Sequence, residues 1–464
     1  MPINSTGPTP GRGPLFVPMR KLLLITALLT LPAPVAADAA TRWVVKGGGW
    51  GHALGMSQYG AYGQALEGRG YRKIVNHYYR NTQLGQATGR VRVLLLASVG
   101  SSTFGGANRV GSHRVRPGRN YVVRRSGGSI VVRSARGKRI ARSSGVIRVT
   151  GPEGLVTVAG KGVYRDVIEY RPGLAGGVTA VNRVELENYI KGVVALESPA
   201  SWPIEALKAQ AVAARSYALG TGGGPIFDHY DTTASQVYGG YSAEQPSTNR
   251  AVDRTRGEVL RHNGKVIVAY FHSTSGGHTE NNENIFTGSA PLPYIRGVRD
   301  PWDRHSPYHR WRVSYGARSL GKALGVGRLR SVRVKQRGSS SRIVYATVRG
   351  RGGRARLHGY NGIRARLGLR DAPSTIKKIT ARGSTAGAAV AGSGSRAHAH
   401  DIVGTVSPGR AGDAVVVQRR AGDGWTRIAE GRLRKSGRYR VAVQDTGLYR
   451  VIAAGDPGPS VRVR

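Results

Sequence analysis

The chain contains no cysteine and has few acidic residues. Without cysteine there are no disulfides, no thiol nucleophile and no cysteine-based zinc site. Its 464 residues include 71 Lys and Arg against 25 Asp and Glu, a formal net charge of +46. So basic a chain is expected to associate with polyanions: nucleic acid, an anionic membrane face or anionic wall polymers. The alternative is that much of the arginine reflects genomic composition and a solvated surface.

Long apolar runs are also lacking, and the run near the N-terminus indicates export. Met19-Arg20-Lys21 is followed by apolar Leu22–Leu31 and by the small-residue stretch Pro32–Ala37. That order is typical of a secretory signal, with cleavage expected near Ala37 or Ala39. The run is short for a bilayer about 30 Å thick, although an uncleaved signal would leave a membrane tether. A secreted protein does not meet the chromosome, so we expect no nucleic-acid partner.

Periodicity along the rest of the chain predicts an α+β protein. Apolar and polar residues alternate between residues 91 and 181, as in half-buried strands, and more short strands run from 228 to about 371. Helical spacing predicts two central helices, at about Glu185–Leu196 and Pro203–Leu219. Residues 372–400 are small and Gly/Ala/Ser-rich, which predicts a flexible linker. Residues 401–464 then form a last β block, for which we expect a small sandwich domain.

The first predicted helix ends on a carboxylic acid in an unfavourable place. Leu186, Tyr189, Ile190, Val193 and Val194 form one apolar stripe. Glu197 lies eleven residues beyond Leu186, close to three full turns, and therefore extends that stripe. Burial and the helix C-terminus both disfavour its negative charge and raise its pKa, as a general acid requires. The alternative is a glutamate that turns outward to solvent at the helix end.

The second predicted helix carries two cations on one face. Lys208 and Arg215 share this face with Ala211 in an otherwise alanine-rich helix. Arg215 suits an anionic sugar substituent or a partner carboxylate. The alternative is a solvated cation that is favourable near the helix C-terminus.

At these helices the sequence resembles the SpoIID/LytB domain family. The stretch 181–219 reads VNRVELENYIKGVVALESPASWPIEALKAQAVAARSYAL, and DTTASQVYG (231–239) and YFHSTSGGHTENNENI (270–285) also match the family. So does GWGHALGMSQYGAYGQALEGRGYRKIVNHYY at 49–79, although in the family this segment usually follows the SGG segment. We therefore expect a circularly permuted domain in which residues 49–79 keep their usual place in space.

The resemblance implies a role in the bacterial cell wall, of one of two kinds. Sporulation members of the family are lytic transglycosylases, which cut glycan strands stripped of stem peptides; LytB members are described as enhancers of a wall amidase. In the lytic members the catalytic acid precedes the proline between the two helices, a position that Glu197 occupies here. Expected partners are peptidoglycan glycan strands, with anionic wall polymers and a wall amidase as further candidates.

The family motifs also suggest which residues line a glycan groove. Hydroxyl, amide, imidazole and aromatic side chains suit sugars, and each has the alternative of a buried structural role. The expected substrate-binding residues are Lys208, Arg215, Gln236, Tyr238, His272, Ser273, Ser275, His52, Ser57 and Gln58.

Two departures from the family pattern affect the site. The usual GHG reads Gly51-His52-Ala53, and the added methyl either narrows the groove or has no effect. Some members bind zinc through a histidine and cysteines around the DTTASQVYG segment, where this chain has Ser235 and no cysteine. We therefore expect no metal and no cofactor.

Overall fold

The computed structural model describes residues 40–385 and 400–463, which pack as one unit. The described residues form several β-sheets and a smaller number of helices, in agreement with the expected α+β class. The α-helices are α1 Gln58–Leu66, α2 Tyr71–Tyr78, α3 Leu186–Glu197, α4 Ile204–Thr221, α5 Pro246–Asp253, α6 Asn282–Ile285, α7 Ala317–Ala323 and α8 Ala365–Leu367. None of them is long and apolar enough to cross a membrane.

Two sheets account for the alternating pattern between residues 91 and 181, and their strands are antiparallel except for the short parallel strand His229–Tyr230. Side chains of alternating positions, such as Val91, Val93 and Leu95, point into one core that both sheets share with α3 and α4. In spatial order, the first sheet contains His229–Tyr230, Arg90–Val99, Val178–Glu185, Val167–Pro172, Ile147–Thr150, Arg109–Val110 and His113–Arg114. The second contains Arg139–Ser143, Ser129–Ser134, Tyr121–Ser126, Ser101–Gly105, Leu155–Val158 and Gly162–Arg165.

Helices α3 and α4 lie within a few residues of their predicted bounds. The apolar stripe of α3 is buried along its whole length, from Leu186 to Val194. The helix ends because Ser198 precedes Pro199, which disfavours helical backbone at Ser198, and its φ and ψ are −139° and 135°. Glu197 is therefore the last helical residue, and the chain leaves the helix directly after it. Alanines of α4 pack against the surrounding elements.

An ion pair between buried Arg215 and part-buried Glu187 joins the two helices. Arg215 of α4 is 0% exposed, and its Nε and Nη2 donate to the two carboxylate oxygens of Glu187 at 2.9 and 2.8 Å. Its Nη1 also donates to the carbonyl oxygen of Glu258 at 2.9 Å. Because every face of the guanidinium is occupied by protein, this cation fixes the helix pair.

The segment that begins at Gly49 packs against the segment that contains the SGG motif. Met56–Ser57 pairs in parallel with Phe271–His272, and Trp50 forms a β-bridge with Thr274. The bridge consists of N–H to carbonyl hydrogen bonds of 2.9 and 3.1 Å. The two motifs are therefore neighbours in space although more than 200 residues separate them in sequence. The circular permutation stays a prediction.

The C-terminal β block forms a sandwich, but it is not confined to residues 401–464. Its five-stranded sheet contains, in order, Trp311–Gly316, Ala40–Gly47, Thr375–Thr385, His400–Ser407 and Arg438–Val443. Its four-stranded sheet contains Gly424–Arg432, Ala414–Ala421, Gly447–Ala453 and Asp456–Val463. Val44 and Ile379 share one core with the C-terminal strands, so the sandwich includes strands from before the expected domain boundary.

The expected linker at 372–400 is therefore wrong for its first part. Thr375–Thr385 is a central strand, paired with Ala40–Gly47 on one side and His400–Ser407 on the other. Its few apolar residues, Ile376, Ile379 and Ala381, are all buried. The strand is stabilised mainly by pairing with distant segments, which local composition does not reveal. The rest of the expected linker, residues 386–399, lies outside the described residues.

Three smaller groups of strands complete the fold. One sheet contains Lys265–Val266, Glu258–His262 and Gln83–Gln86. Another contains Leu329–Arg337, Ile343–Gly350 and Gly353–His358, and the third group is the Met56–Ser57 and Phe271–His272 pair.

We expect Arg215→Met to destabilise the protein by about 3–5 kcal/mol, because Glu187 would be left as a buried charge without its counterion. The measurement is urea unfolding at neutral pH, with the exposed Arg142→Met as the matched control. The double variant Arg215→Met/Glu187→Gln should recover part of the loss, since it removes both charges. A loss no larger than that of the control would contradict a stabilising role for this pair.

Candidate active site

A cleft of about 480 Å³ lies where the end of α3 meets the two paired motifs. Five of the residues that the sequence singled out line it. These are His52, Gln58, Glu197, His272 and Ser273. Three separate stretches of chain thus bring polar side chains to one cavity, and Glu197 is the only carboxylic acid among the described residues that line it.

Glu197 turns into this cleft rather than outward to solvent. One carboxylate oxygen, Oε1, accepts a hydrogen bond from the backbone N–H of Val237 at 2.9 Å. The other, Oε2, lies 3.3 Å from Nε2 of Gln58, which also donates to the Glu197 carbonyl oxygen at 2.9 Å. Gln58 therefore contacts both the side chain and the helix terminus that carries it.

Burial raises the pKa of Glu197 above its ordinary value. The hydrogen bonds from Val237 and Gln58 oppose that shift, because both donors stabilise the ionised carboxylate. Burial therefore favours the protonated form of the carboxyl group, while the two donors favour its ionised form. A carboxyl group in this state can act first as an acid and then as a base.

Two histidines beside the carboxyl group are neutral. Nδ1 of His52 accepts the backbone N–H of Leu54 at 3.0 Å, and burial lowers the pKa of His52 to about 4. Nδ1 of His272 lies 3.1 Å from the carbonyl oxygen of Leu54 and donates to it, since a carbonyl only accepts. Burial and the neighbouring His52 hold the pKa of His272 well below its ordinary value. Neither ring therefore places a positive charge beside Glu197, which would favour the loss of its proton.

Aromatic rings form much of the cleft wall, and none of them is among the predicted site residues. They are Trp50, Tyr217, Tyr270, Phe271 and Phe286. Trp50 is 45% exposed and meets Tyr308 edge to face, with 4.6 Å between ring centroids. Trp50, Tyr217, Tyr270 and Phe271 lie inside the family-like motifs, so aromatic residues adjoining the polar motif positions were the available signal. Apolar ring faces suit the C–H faces of sugars, while the polar groups fix orientation.

Four of the predicted groove residues have structural roles and do not line the cleft, namely Gln236, Tyr238, Ser57 and Ser275. Gln236 is buried and bridges the Tyr189 hydroxyl and the Ala214 carbonyl. Tyr238 is also buried, and its hydroxyl donates to Asn182 at 2.6 Å. Both side chains are buried in the core, while the backbone N–H of Val237 between them donates to Glu197.

Ser57 and Ser275 are likewise withdrawn from the cleft. The hydroxyl oxygen of Ser57 accepts the N–H of Gly60 and begins α1, as serine commonly does at helix N-termini. The Ser275 hydroxyl donates to Oδ2 of buried Asp300 at 2.7 Å. Both are 0% exposed, so neither is available to a sugar in this conformation.

The two cations of α4 are also engaged elsewhere. Arg215 is buried and forms an ion pair with Glu187, so it cannot contact a ligand. Lys208 pairs with Glu205 at 2.6 Å and lies over the ring of Tyr71. A shared helix face is therefore a poor guide here, because α4 is covered by other elements over most of its surface.

Ala53 and Ser235 are the two positions at which the sequence departs from the family pattern. Ala53 is 0% exposed, so its methyl group does not narrow the cleft. Ser235 lines the cleft and accepts the backbone N–H of Tyr230 at 3.1 Å, while His229 contacts the Ala218 carbonyl. Within residues 40–385 and 400–463, no three His, Asp or Glu side chains gather closely enough to hold a metal ion.

The described residues form a β-rich protein whose helix pair presents one part-buried acid, Glu197, to a cleft of about 480 Å³. Residues 175–262 match the family model described as stage II sporulation protein, SpoIID. This part of the chain, which includes both helices of the pair, is therefore similar to the SpoIID family.

The chain is similar to three named relatives over part of their length. The chain is 43% identical over 131 residues to the amidase enhancer of Bacillus subtilis (strain 168), which covers 28% of this chain and 17% of that protein. It is 36% identical over 167 residues to stage II sporulation protein D of the same organism, 32% of this chain and 48% of that protein. With stage II sporulation protein D of Bacillus amyloliquefaciens it shares 32% identity over 222 residues, 43% of this chain and 62% of that protein. The chain thus spans less than two thirds of each of these relatives.

We expect Gln58→Leu to raise the pKa of Glu197 further, because it removes a donor that stabilises the carboxylate without opening the cleft to water. A carbon-detected NMR titration of glutamate-labelled protein measures this value. The Glu197→Gln spectrum, in which one carboxyl resonance disappears, assigns the signal. An unchanged or lowered pKa in Gln58→Leu would show that Gln58 does not tune the acid.

Proposed function

We propose that this protein is an exported lytic transglycosylase that cleaves peptidoglycan glycan strands, with Glu197 as its single acid and base. The observation that carries the proposal is one part-buried carboxyl group with a raised pKa in an aromatic-lined cleft. Two donors, Val237 and Gln58, are positioned to stabilise it once it has lost its proton. The SpoIID match supports a role in the cell wall.

One carboxyl group is sufficient for lytic cleavage because the second nucleophile belongs to the substrate. Most glycosidases need two carboxylates, since one must act as nucleophile or activate water. In lytic cleavage, protonated Glu197 donates its proton to the glycosidic oxygen as the bond from the anomeric carbon breaks. The resulting carboxylate accepts the proton of the sugar's own primary hydroxyl, whose oxygen closes onto the anomeric carbon. Because that hydroxyl is already held close by the ring, no bound water is required.

The remaining side chains of the cleft would bind and orient the sugars. Trp50 and Tyr270 offer ring faces, and Ser273 offers a hydroxyl. Neutral His52 and His272 can exchange hydrogen bonds with hydroxyl groups without lowering the proton affinity of Glu197. A neutral, aromatic wall also suits an uncharged sugar ring better than an anionic one.

The proposal places the protein outside the cytoplasm, in contact with the wall. The N-terminal signal pattern, which lies outside the described residues, supports export. The net charge of +46 supports association with anionic wall polymers.

We expect Glu197→Gln to lower glycan cleavage by about 10²–10⁴-fold, the usual contribution of a positioned general acid. The assay incubates mature protein with peptide-free and peptide-bearing strands and quantifies anhydro-sugar ends by mass spectrometry. Glu153→Gln, at an exposed carboxyl group, makes the same chemical change away from the cleft and should leave the yield unchanged. Equal product from wild type and Glu197→Gln would refute the assignment.

A second candidate function is a non-catalytic wall-binding protein that stimulates or recruits an N-acetylmuramoyl-L-alanine amidase. The 43% identity to the amidase enhancer of Bacillus subtilis favours this alternative. A wall-binding protein of this kind would hold glycan in the same cleft. Binding alone does not require an acid with a raised pKa.

The two functions differ in their dependence on Glu197. If the protein only enhances an amidase, wild type and Glu197→Gln should increase peptide release from cell walls equally, because glycan binding does not require proton transfer. The measurement is amidase-dependent release of stem peptides with each protein added, and amidase alone as the control. Stimulation that is lost in Glu197→Gln, together with anhydro-sugar ends, would assign the effect to glycan cleavage instead.

A further inference from the structure

We propose that a second, cationic cleft beside the Glu197 cleft binds carboxylate groups of the same glycan strand. The proposal rests on the function proposed above and names the substrate feature that the second cleft recognises. In a glycan containing muramic acid, such carboxylates lie on the lactyl ether or on an attached peptide.

The second cleft has a volume of about 720 Å³ and is lined by several cationic side chains. Lys46, Arg310 and Arg312 contribute charge, and Trp311 contributes an apolar wall. Arg342 also borders the cleft, but it is already paired with buried Asp371 at 2.7 Å. The cleft is therefore large enough for a sugar substituent and has the charge to hold an anionic one.

Neutral acceptors hold Arg310 in place, and no Asp or Glu among the described residues pairs with it. Its Nη1 donates to the carbonyl oxygens of Gly276 and His309 at 2.6 and 2.8 Å. These acceptors are neutral, so they orient the guanidinium and leave its charge to act on a ligand. Gly277 has φ of +91°, and a side chain there would begin 3.4 Å from Nη2 of Arg310. Glycine therefore keeps this edge of the guanidinium uncovered.

The other two cations share a single acid. Asp456 is 0% exposed and lies 2.5 Å from Nζ of Lys46 and 3.5 Å from Nη1 of Arg312. The same carboxylate also pairs with Lys377 at 2.7 Å. One negative charge thus faces three positive charges, so the wall of the cleft retains a positive charge even with its internal partner in place.

The two clefts adjoin along the same pair of backbone segments. Gly48 lines the cationic cleft and Trp50 lines the Glu197 cleft, so the two lining residues are at most about 7 Å apart along the chain. The bridge between Trp50 and Thr274 forms the divide, with Ser273 on one side and Gly276 on the other. A polymer bound at Glu197 can therefore place its next substituent in the cationic cleft.

A carboxylate fits the donors of this cleft better than a neutral group does. A fixed guanidinium presents parallel N–H groups whose spacing matches the two oxygens of a carboxylate. The Glu197 cleft offers neutral and aromatic side chains, whereas the adjoining cleft offers charge. The two neighbouring clefts together would therefore recognise uncharged and carboxylate-bearing sugars that alternate along one strand.

The test measures binding in the Glu197→Gln protein, so that no cleavage occurs. Isothermal titration calorimetry compares peptide-free strands, the same strands with carboxylates converted to amides, and peptide-bearing strands. We expect the carboxylate form to bind roughly tenfold more tightly than the amide form, as a charged hydrogen bond implies. Arg310→Gln in the same background should remove that preference, and the exposed Arg142→Gln should keep it.

Several outcomes would overturn the proposal. These are equal binding of carboxylate and amide strands, or a preference that survives Arg310→Gln. A soluble phosphodiester wall polymer could also displace the strand. If that displacement requires Arg310, the cleft binds the polymer and not the glycan. Among supporting outcomes, peptide-free strands that bind most tightly identify the lactyl carboxylate, and peptide-bearing strands that do so identify the peptide.

This binding comparison, combined with the cleavage assay of the wild-type protein, separates this proposal from the catalytic one. A carboxylate preference that depends on Arg310, together with no cleavage by wild type, would support the cleft and contradict lytic activity. Cleavage by wild type that is indifferent to carboxylate amidation would do the reverse.

Discussion

The site depends on the backbone pairing between the segment that begins at Gly49 and the segment that contains the SGG motif. The Trp50–Thr274 bridge and the parallel pair of Met56–Ser57 with Phe271–His272 hold these segments together. They bring Gln58, which starts α1, to the end of α3, where it contacts Glu197. The cationic cleft is formed on the other side of the same bridge. Because these are backbone hydrogen bonds, the arrangement is rigid, and substitutions of single side chains on the cleft wall should leave it in place.

The electrostatics of the main cleft follow from what surrounds Glu197. Burial raises the pKa of the carboxyl group, and two donors limit the rise. Burial lowers the pKa of the nearby histidines and favours their neutral forms, so they add no positive charge that would ionise it. Among the described residues, no lysine or arginine lines this cleft, although the chain carries a net charge of +46. Charge is instead concentrated around Arg310, in the adjoining cleft.

Local patterns in the sequence predicted the elements better than the connections between them. The apolar stripe from Leu186 to Val194 gave the bounds of α3 to within a residue or two, because helix burial repeats over a few residues. The strand Thr375–Thr385 was missed because its pairing partners lie far away in the chain. Among the predicted site residues, His52, Gln58, Glu197, His272 and Ser273 do line the cleft. Arg215, Gln236, Tyr238, Ser57 and Ser275 are buried, since polar groups that suit sugars also suit the interior once they find partners.

The sequence by itself determined the α+β class, the helix pair and the position of Glu197 at the end of an apolar stripe. Each of these follows from residues close together in the chain, whose spacing is set by helix and strand geometry. Only the tertiary structure decided that Glu197 faces a cleft, that Gln58 and Val237 contact its carboxylate, and that Arg215 does not bind a ligand. Those facts depend on which distant segments meet, and the free energy of such contacts comes from burial and pairing that no local pattern records.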